Sequence, residues 1–424
     1  MLLTTDPARR ARRKPGVWGM VIVLLFLAYW ALAANLDPET RQDGTRYLIQ
    51  WPIDFQVYYE AAANMSMGRN LYEANWIGIL PFTYPPFAAV FMQLLVWTDF
   101  ETAGIVWQIS SAFVLFAVIV ACFRQRGYVW STRLLVLGGI AFFASFNLVS
   151  IQGTFFFGQI NIFLLGLIAW DFLGKRGAKY RGVGTGLAAG LKLTPAFHGV
   201  LFLVERKWWA AVLSFGVFLL TVGIGFVFVP DASSFWTGKI TDTERIGQEQ
   251  NPGALCLKAM MIRREWPLET VLWIFGVAVV LYLFYLGARG AIRTNNYVMA
   301  IGLSGTTAAL VSPFSWYHHW VYSVPLVIAL MDGLRRIFAE KLAQYLEGQV
   351  LWWLQELGGL LAGVLVVIVF LPQAAAASVE SMNFMQLTES GNWFVQELHI
   401  YSSLLLMAAI AIYYSRTLRR QNAS

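Results

Sequence analysis

The chain is poor in charge. Asp, Glu, Lys and Arg make up 13% of 424 residues, while 58% are hydrophobic. Soluble domains carry about 25% charged and 45–50% apolar residues, so a large water-solvated surface is excluded. There are two cysteines, Cys122 at the end of an apolar run and Cys256 in a loop, which give no disulfide framework. Histidine is also scarce. His318 and His319 are two of only four, and no Asp, Glu or Cys lies near them in the sequence to complete a metal-ligand signature. No metal site is therefore expected. Repeats of fixed period are lacking. No small-residue cleavage site follows the basic group Arg9, Arg10, Arg12, Arg13 and Lys14, so the next apolar run is expected to be retained as a helix. The net charge of +7 is spread over short loops. That reads as topogenic charge and not as a nucleic-acid surface.

Long apolar runs are abundant. Residues 17–34, 104–123, 208–229, 269–288 and 350–371 each approach the roughly 20 residues that cross a bilayer. The expected class is an all-α polytopic membrane protein, one transmembrane domain over 1–424. Lys and Arg beside short loops mark the cytoplasmic side, and placing them there gives about twelve membrane segments with both ends inside. Two readings are part of that count. Residues 87–97, behind Pro85-Pro86, form a surface helix. Residues 182–204 form a hairpin broken at Lys192–Pro195. The opposite, outer face then collects the polar and aromatic loops: 35–103, 152–159, the Lys192 tip, 230–267, 312–319 and 372–397.

Four stretches on that face could carry chemistry. Asp54 stands among apolar and aromatic residues before a helix expected at 58–67. It is either an N-cap or a carboxylate held near a sugar, as base or charge stabiliser. His318-His319, flanked by Trp316 and Trp320, is either part of an interfacial aromatic belt or a neutral-pH base. Lys192 is an ionisable group in an apolar stretch. It either snorkels or holds a phosphate as a point charge. Gln159 and Asn161 bring amides that suit sugar hydroxyls or a helix cap. Arg263 and Arg264 in the long loop are a candidate phosphate clamp. Tyr58, Tyr84 and Trp316 complete the candidate substrate contacts.

Taken in order, these pieces resemble a family. Asp54 with Val57-Tyr58, Gly68, Leu71-Tyr72 and the Pro81–Ala89 run is one match. Gly158-Gln159-Ile160-Asn161, Gly190-Leu191-Lys192-Leu193-Thr194-Pro195 and Ser312–Val321 are the others. Over roughly residues 15–335 they are similar to actinobacterial polyprenyl-phosphate-mannose-dependent α-mannosyltransferases of GT-C fold. These include enzymes that extend phosphatidylinositol mannosides and the α-1,2-mannosyltransferases of lipomannan and lipoarabinomannan.

The resemblance implies an inverting transfer of mannose from a β-linked polyprenyl-phosphate donor to a lipid-linked acceptor. It implies no cofactor, no nucleotide sugar, and a site on the outer face of the plasma membrane. Asp54 or one of the two histidines is the base. Lys192, with Arg263 or Arg264, neutralises the leaving phosphate. One departure concerns the long loop, where the family commonly has Asn-Gln-Ser followed by glycine. Glu249-Gln250-Asn251-Pro252-Gly253 stands here instead, so the acceptor stays open. Two alternatives remain: an arabinofuranosyltransferase of the same fold, and a lipid or sugar transporter. Against the transporter, no inverted repeat is visible and the polar motifs gather at one face, not at the midplane.

Overall fold

The computed structural model describes residues 14–36, 53–78, 80–174, 178–242, 244–375 and 393–423. Arg9, Arg10, Arg12, Arg13, Trp51, Pro52, Lys175, Arg176 and residues 376–392 of the loop 372–397 lie outside them. Most of the described structure is helical, and the sheet content is a two-stranded ladder of β1 (Asn75–Ile77) and β2 (Leu80–Pro81). Among the described residues, five helices are long and apolar enough to cross a membrane. In chain order the first helices are α1 (Val17–Leu36), α2 (Ile53–Ser66), α3 (Pro86–Met92), α4 (Phe100–Gln125), α5 (Thr132–Ser145), α6 (Val149–Phe157) and α7 (Asn161–Leu173). They continue as α8 (Val183–Leu191), α9 (Gly199–Glu205), α10 (Trp208–Phe228), α11 (Leu257–Arg263), α12 (Glu269–Arg293), α13 (Tyr297–Val311), α14 (Ser323–Leu342), α15 (Gly348–Ala375) and α16 (Trp393–Ala423). The helices α10 and α12 carry exposed Phe226, Val227, Ile274 and Phe275, the surface expected to meet lipid.

The apolar stretch 134–151, one of the twelve segments that the charge pattern implies, is broken. α5 and α6 meet at 82°. At the break, Asn147 turns its amide onto the carbonyls of Ala144 and Leu27, at 2.9 and 2.8 Å. A side chain that bonds backbone in this way competes with helix continuation. Residues 152–157, expected as loop, are therefore helix, and they run beneath the polar site.

The hairpin at 182–204 is observed. α8 ends at Leu191, a 3-10 turn covers Thr194–His198, and α9 follows. Its two ends meet, because Arg181 clamps Glu205 through two nitrogens at 2.9 and 2.6 Å. Residues 86–97 form α3 and a 3-10 turn over Gln93–Trp97. α3 has only seven residues, too short to span alone.

Loops expected on the inner side converge in space. Gln125 donates to the carbonyl of Asn295, and Arg126 pairs with Asp332 at 2.8 Å. The start of α4 lies at the other end, where Trp107 donates to the carbonyl of Gly158 at 2.9 Å. The 26 residues of α4 are roughly 39 Å long at 1.5 Å per residue, which separates the two ends by about a membrane thickness.

Candidate active site

The motif loops meet around one cavity of about 550 Å³. Its walls come from α2, the Pro81–Pro85 run, Gln159, the Lys192 turn, residues of the long loop and the segment Ser312–His319.

Asp54 stands in the first turn of α2 and accepts from Gln159 Nε2 at 2.5 Å. Gln159 is itself fixed. Its Oε1 accepts from the Tyr84 hydroxyl at 2.9 Å and from Tyr58 at 3.3 Å, and the two hydroxyls are 2.6 Å apart. With the amide oxygen committed to two phenols, only its nitrogen can face the carboxylate. Burial pushes Asp54 up to about 6, although the Gln159 bond and the nearby Lys192 charge both pull it down. A carboxyl of that strength is suited to accept a proton near neutral pH.

Gly158 delivers Gln159 to this place. It closes α6 at φ +66°, a left-handed turn that glycine adopts without a Cβ penalty. One turn or more upstream, Gly153 admits the Tyr317 ring; a Cβ there would lie 2.3 Å from it. The small residue lets α6 pass directly under the histidine segment.

Lys192 sits at the end of α8, where the backbone turns extended. Its ammonium lies 3.1 Å from Asn161 Oδ1 and 3.0 Å from His319 Nε2, and 5.1 Å over the Tyr84 ring. Asn161 in turn donates to the carbonyl of His318 at 2.8 Å. An ammonium donates only, so His319 accepts at Nε2 and its Nδ1 hydrogen faces Ser315 Oγ at 3.2 Å.

The two histidines differ. His319 is held from both ring nitrogens. His318 is buried against Phe157 and stacks on Trp316. It lines the cavity, and neither ring nitrogen has a hydrogen-bond partner among the described residues. Burial, and then the Lys192 charge, hold both imidazoles well below the usual histidine range.

The long loop closes one side. Leu255 N donates to Ser315 O at 2.7 Å and Tyr317 N to Gly253 O at 2.9 Å, a short antiparallel bridge between Ala254 and Trp316. Trp316 Nε1 donates to Ile246 O. The structure brings Asp54, Tyr58, Tyr84, Gln159, Lys192, Trp316, His318 and His319 to the cavity, with Asn161 behind Lys192.

Arg263 and Arg264 are not among the cavity-lining residues. Arg263 is buried, chelates Glu397 at 2.8 and 3.0 Å, and donates to the carbonyls of Glu249, Asn251 and Ala254. Arg264 lies 3.8 Å from the same Glu397. The expected phosphate clamp is thus a brace for the loop containing Asn251. Two cations that the motifs did not single out, Lys239 and Arg245, do line the cavity. Arg245 donates to the carbonyls of Phe82 and Thr83 at 3.1 and 3.2 Å, tying the long loop to the proline-rich run. The loop holds several other charged residues, so nothing in the sequence set these two apart. Among the described residues, no group of three His, Cys, Asp or Glu side chains could hold a metal ion.

Comparison with known proteins gives three findings. The family model "Glycosyltransferase family 87" matches residues 82–313. The chain is 30% identical over 353 residues to the polyprenol-phosphate-mannose-dependent alpha-(1-2)-phosphatidylinositol mannoside mannosyltransferase of Mycobacterium tuberculosis, covering 72% of this chain and 81% of that one. It is 31% identical over 264 residues to the corresponding pentamannoside mannosyltransferase of Mycolicibacterium smegmatis, covering 60% and 62%. Among solved structures it is similar to ArnT from Cupriavidus metallidurans bound to undecaprenyl phosphate. The TM-score there is 0.37, with 14% identity over 93% of this chain and 78% of that one.

Proposed function

We propose, from the premise that the chain belongs to glycosyltransferase family 87, that it transfers mannose from a polyprenyl-phosphate mannose to a lipid-linked mannoside. The product is an α-mannosidic bond, the transfer inverts the anomeric carbon, and the cavity opens on the outer face of the plasma membrane. The relatives' printed names supply the donor and acceptor classes. The observation that carries the chemistry is the carboxylate of Asp54, held by Gln159 beside the Lys192 ammonium in one cavity.

The reaction follows from that arrangement. Asp54 takes the proton of the acceptor hydroxyl. The freed oxygen forms a bond to the anomeric carbon of mannose while the bond from that carbon to the phosphate oxygen breaks. Negative charge grows on the leaving phosphate, and Lys192 stands where a fixed positive charge lowers the barrier. His318, with open ring nitrogens facing the cavity, contacts the sugar or phosphate. His319 positions Lys192. Asp54 is the preferred base because its proton affinity lies near neutral, whereas both imidazoles are held far lower and are weaker bases.

The transfer needs no metal or other cofactor in this reading; unchanged activity after EDTA is expected, and loss of activity would oppose it. The direct test supplies purified enzyme in lipid with radiolabelled decaprenyl-phosphate mannose and a panel of phosphatidylinositol mannosides and lipomannan fragments. A labelled mannoside is expected. Product only with decaprenyl-phosphate arabinose would keep the site and overturn the sugar.

A further inference from the structure

The end of the bundle opposite the cavity holds a second concentration of charge. Asp332 on α14 is buried, accepts hydrogen bonds from Arg126, Arg335 and Tyr128, and forms an ion pair with Arg336. Arg126 Nε and Arg336 Nε approach Oδ2 at 2.8 Å each. Arg335 Nη2 at 2.6 Å and the Tyr128 hydroxyl at 3.1 Å approach Oδ1. Lys14 joins them, 3.3 Å from the Arg126 carbonyl and 4.4 Å over the Tyr128 ring.

Four cations thus cluster around one carboxylate. Another acid of this region, Glu356, is committed elsewhere and accepts from the backbone amides of Gly16, Trp18 and Gly19 at the start of α1. Arg335 also donates to Pro15 O and Arg336 to Arg126 O, while the Nε atoms of Arg335 and Arg336 have no hydrogen-bond partner among the described residues. The uncompensated charge is felt locally. Burial first, and then Arg336, lower Lys14 to about 8, and Asp332 offsets only part of this. The cluster is open at one side, since the Arg336 side chain is 37% exposed and Arg126 11%.

We propose that this basic pocket between the start of α1, the end of α4 and α14 binds the phosphate of an anionic phospholipid headgroup. A phosphate supplies the acceptor oxygens that the four cations lack. The cluster sits at the start of α1 and the end of α4, both apolar helices. Basic pockets between membrane helices take such headgroups on electrostatic grounds, and arginine favours phosphate through paired donors. The site is independent of the sugar-transfer cavity, because α4 separates the two ends.

The test uses the full chain in nanodiscs of phosphatidylcholine, with or without phosphatidylglycerol. Retained lipid is read by native mass spectrometry. Protection of residues 126–132 and 332–342 is read by hydrogen exchange. Wild type should retain phosphatidylglycerol and show protection of both segments. Lys14→Gln with Arg336→Gln should lower affinity roughly thirtyfold. Arg419→Gln with Arg420→Gln removes the same charge from exposed positions of α16 and should leave binding unchanged. Equal loss in both double variants would overturn the pocket in favour of diffuse attraction. If the first pair does not fold, the wild-type arms decide: no protection by phosphatidylglycerol overturns the proposal. Equal protection by inorganic phosphate in neutral lipid would assign the pocket to a free anion and overturn the lipid assignment.

Discussion

Replacing Gln159 by Met tests how the carboxylate is tuned. Met has similar length and volume but no donor, so the 2.5 Å bond to Asp54 is lost while the cavity wall is kept. A hydrogen bond to a charged group contributes about 1.5–3 kcal/mol, and about 1.4 kcal/mol corresponds to one pKa unit. Asp54, held at about 6, should then rise by roughly one to two units. The sign is set by the base's role: Asp54 must be ionised to accept a proton, so activity is lost as pH falls through its pKa. In wild type the acidic limb should lie near 6. In the variant it should move toward 7–8, lowering kcat roughly two- to tenfold near neutrality. Tyr58 and Tyr84 keep each other as partners at 2.6 Å, which limits the cost to folding. The assay is initial rate of mannosyl transfer against pH at saturating donor. A variant with reduced rate but an unmoved acidic limb would refute the role given to Gln159.

Two further outcomes follow from the same geometry. Lys192→Met should lower kcat by about 10²-fold or more, while Asn161 Nδ2 and His319 Nδ1 keep their bonds to His318 O and Ser315; a rate near wild type would remove Lys192 from phosphate stabilisation. Arg263→Ala leaves Glu397 buried with only a 3.8 Å contact to Arg264, and should cost about 3–5 kcal/mol of stability, read as a lower unfolding temperature. Direct loss of donor affinity without destabilisation would return Arg263 to the phosphate.

Much of the site was legible because its residues lie in compact motifs. Asp54, Gln159, Lys192 and the His pair stand out as polar residues in apolar, aromatic stretches, and those stretches meet. The break at Lys192 was visible from Pro195. The break after α5 was not: the contact made there, Asn147 to Leu27, joins residues 120 apart. The role of Arg263 was hidden for a similar reason: its partner Glu397 is 134 residues distant, so a loop brace and a phosphate clamp look alike in sequence. Adjacency hid the difference between His318 and His319, which only the 3-10 turn over Tyr317–Tyr322 resolves by pointing one ring at Lys192 and the other at the cavity. The role of Gln159 also lay beyond motif reading, since it rests on phenols from two distant segments fixing one amide.

The most direct measurement of the central claim is mannosyl transfer by Asp54→Asn in lipid nanodiscs, run beside wild type with labelled polyprenyl-phosphate mannose. Asn keeps the shape and can still accept from Gln159, so the fold and donor binding should persist. Transfer should fall by about 10²–10⁴-fold, with no recovery at any pH. Transfer close to wild type from the folded variant would contradict the assignment of Asp54 as the base.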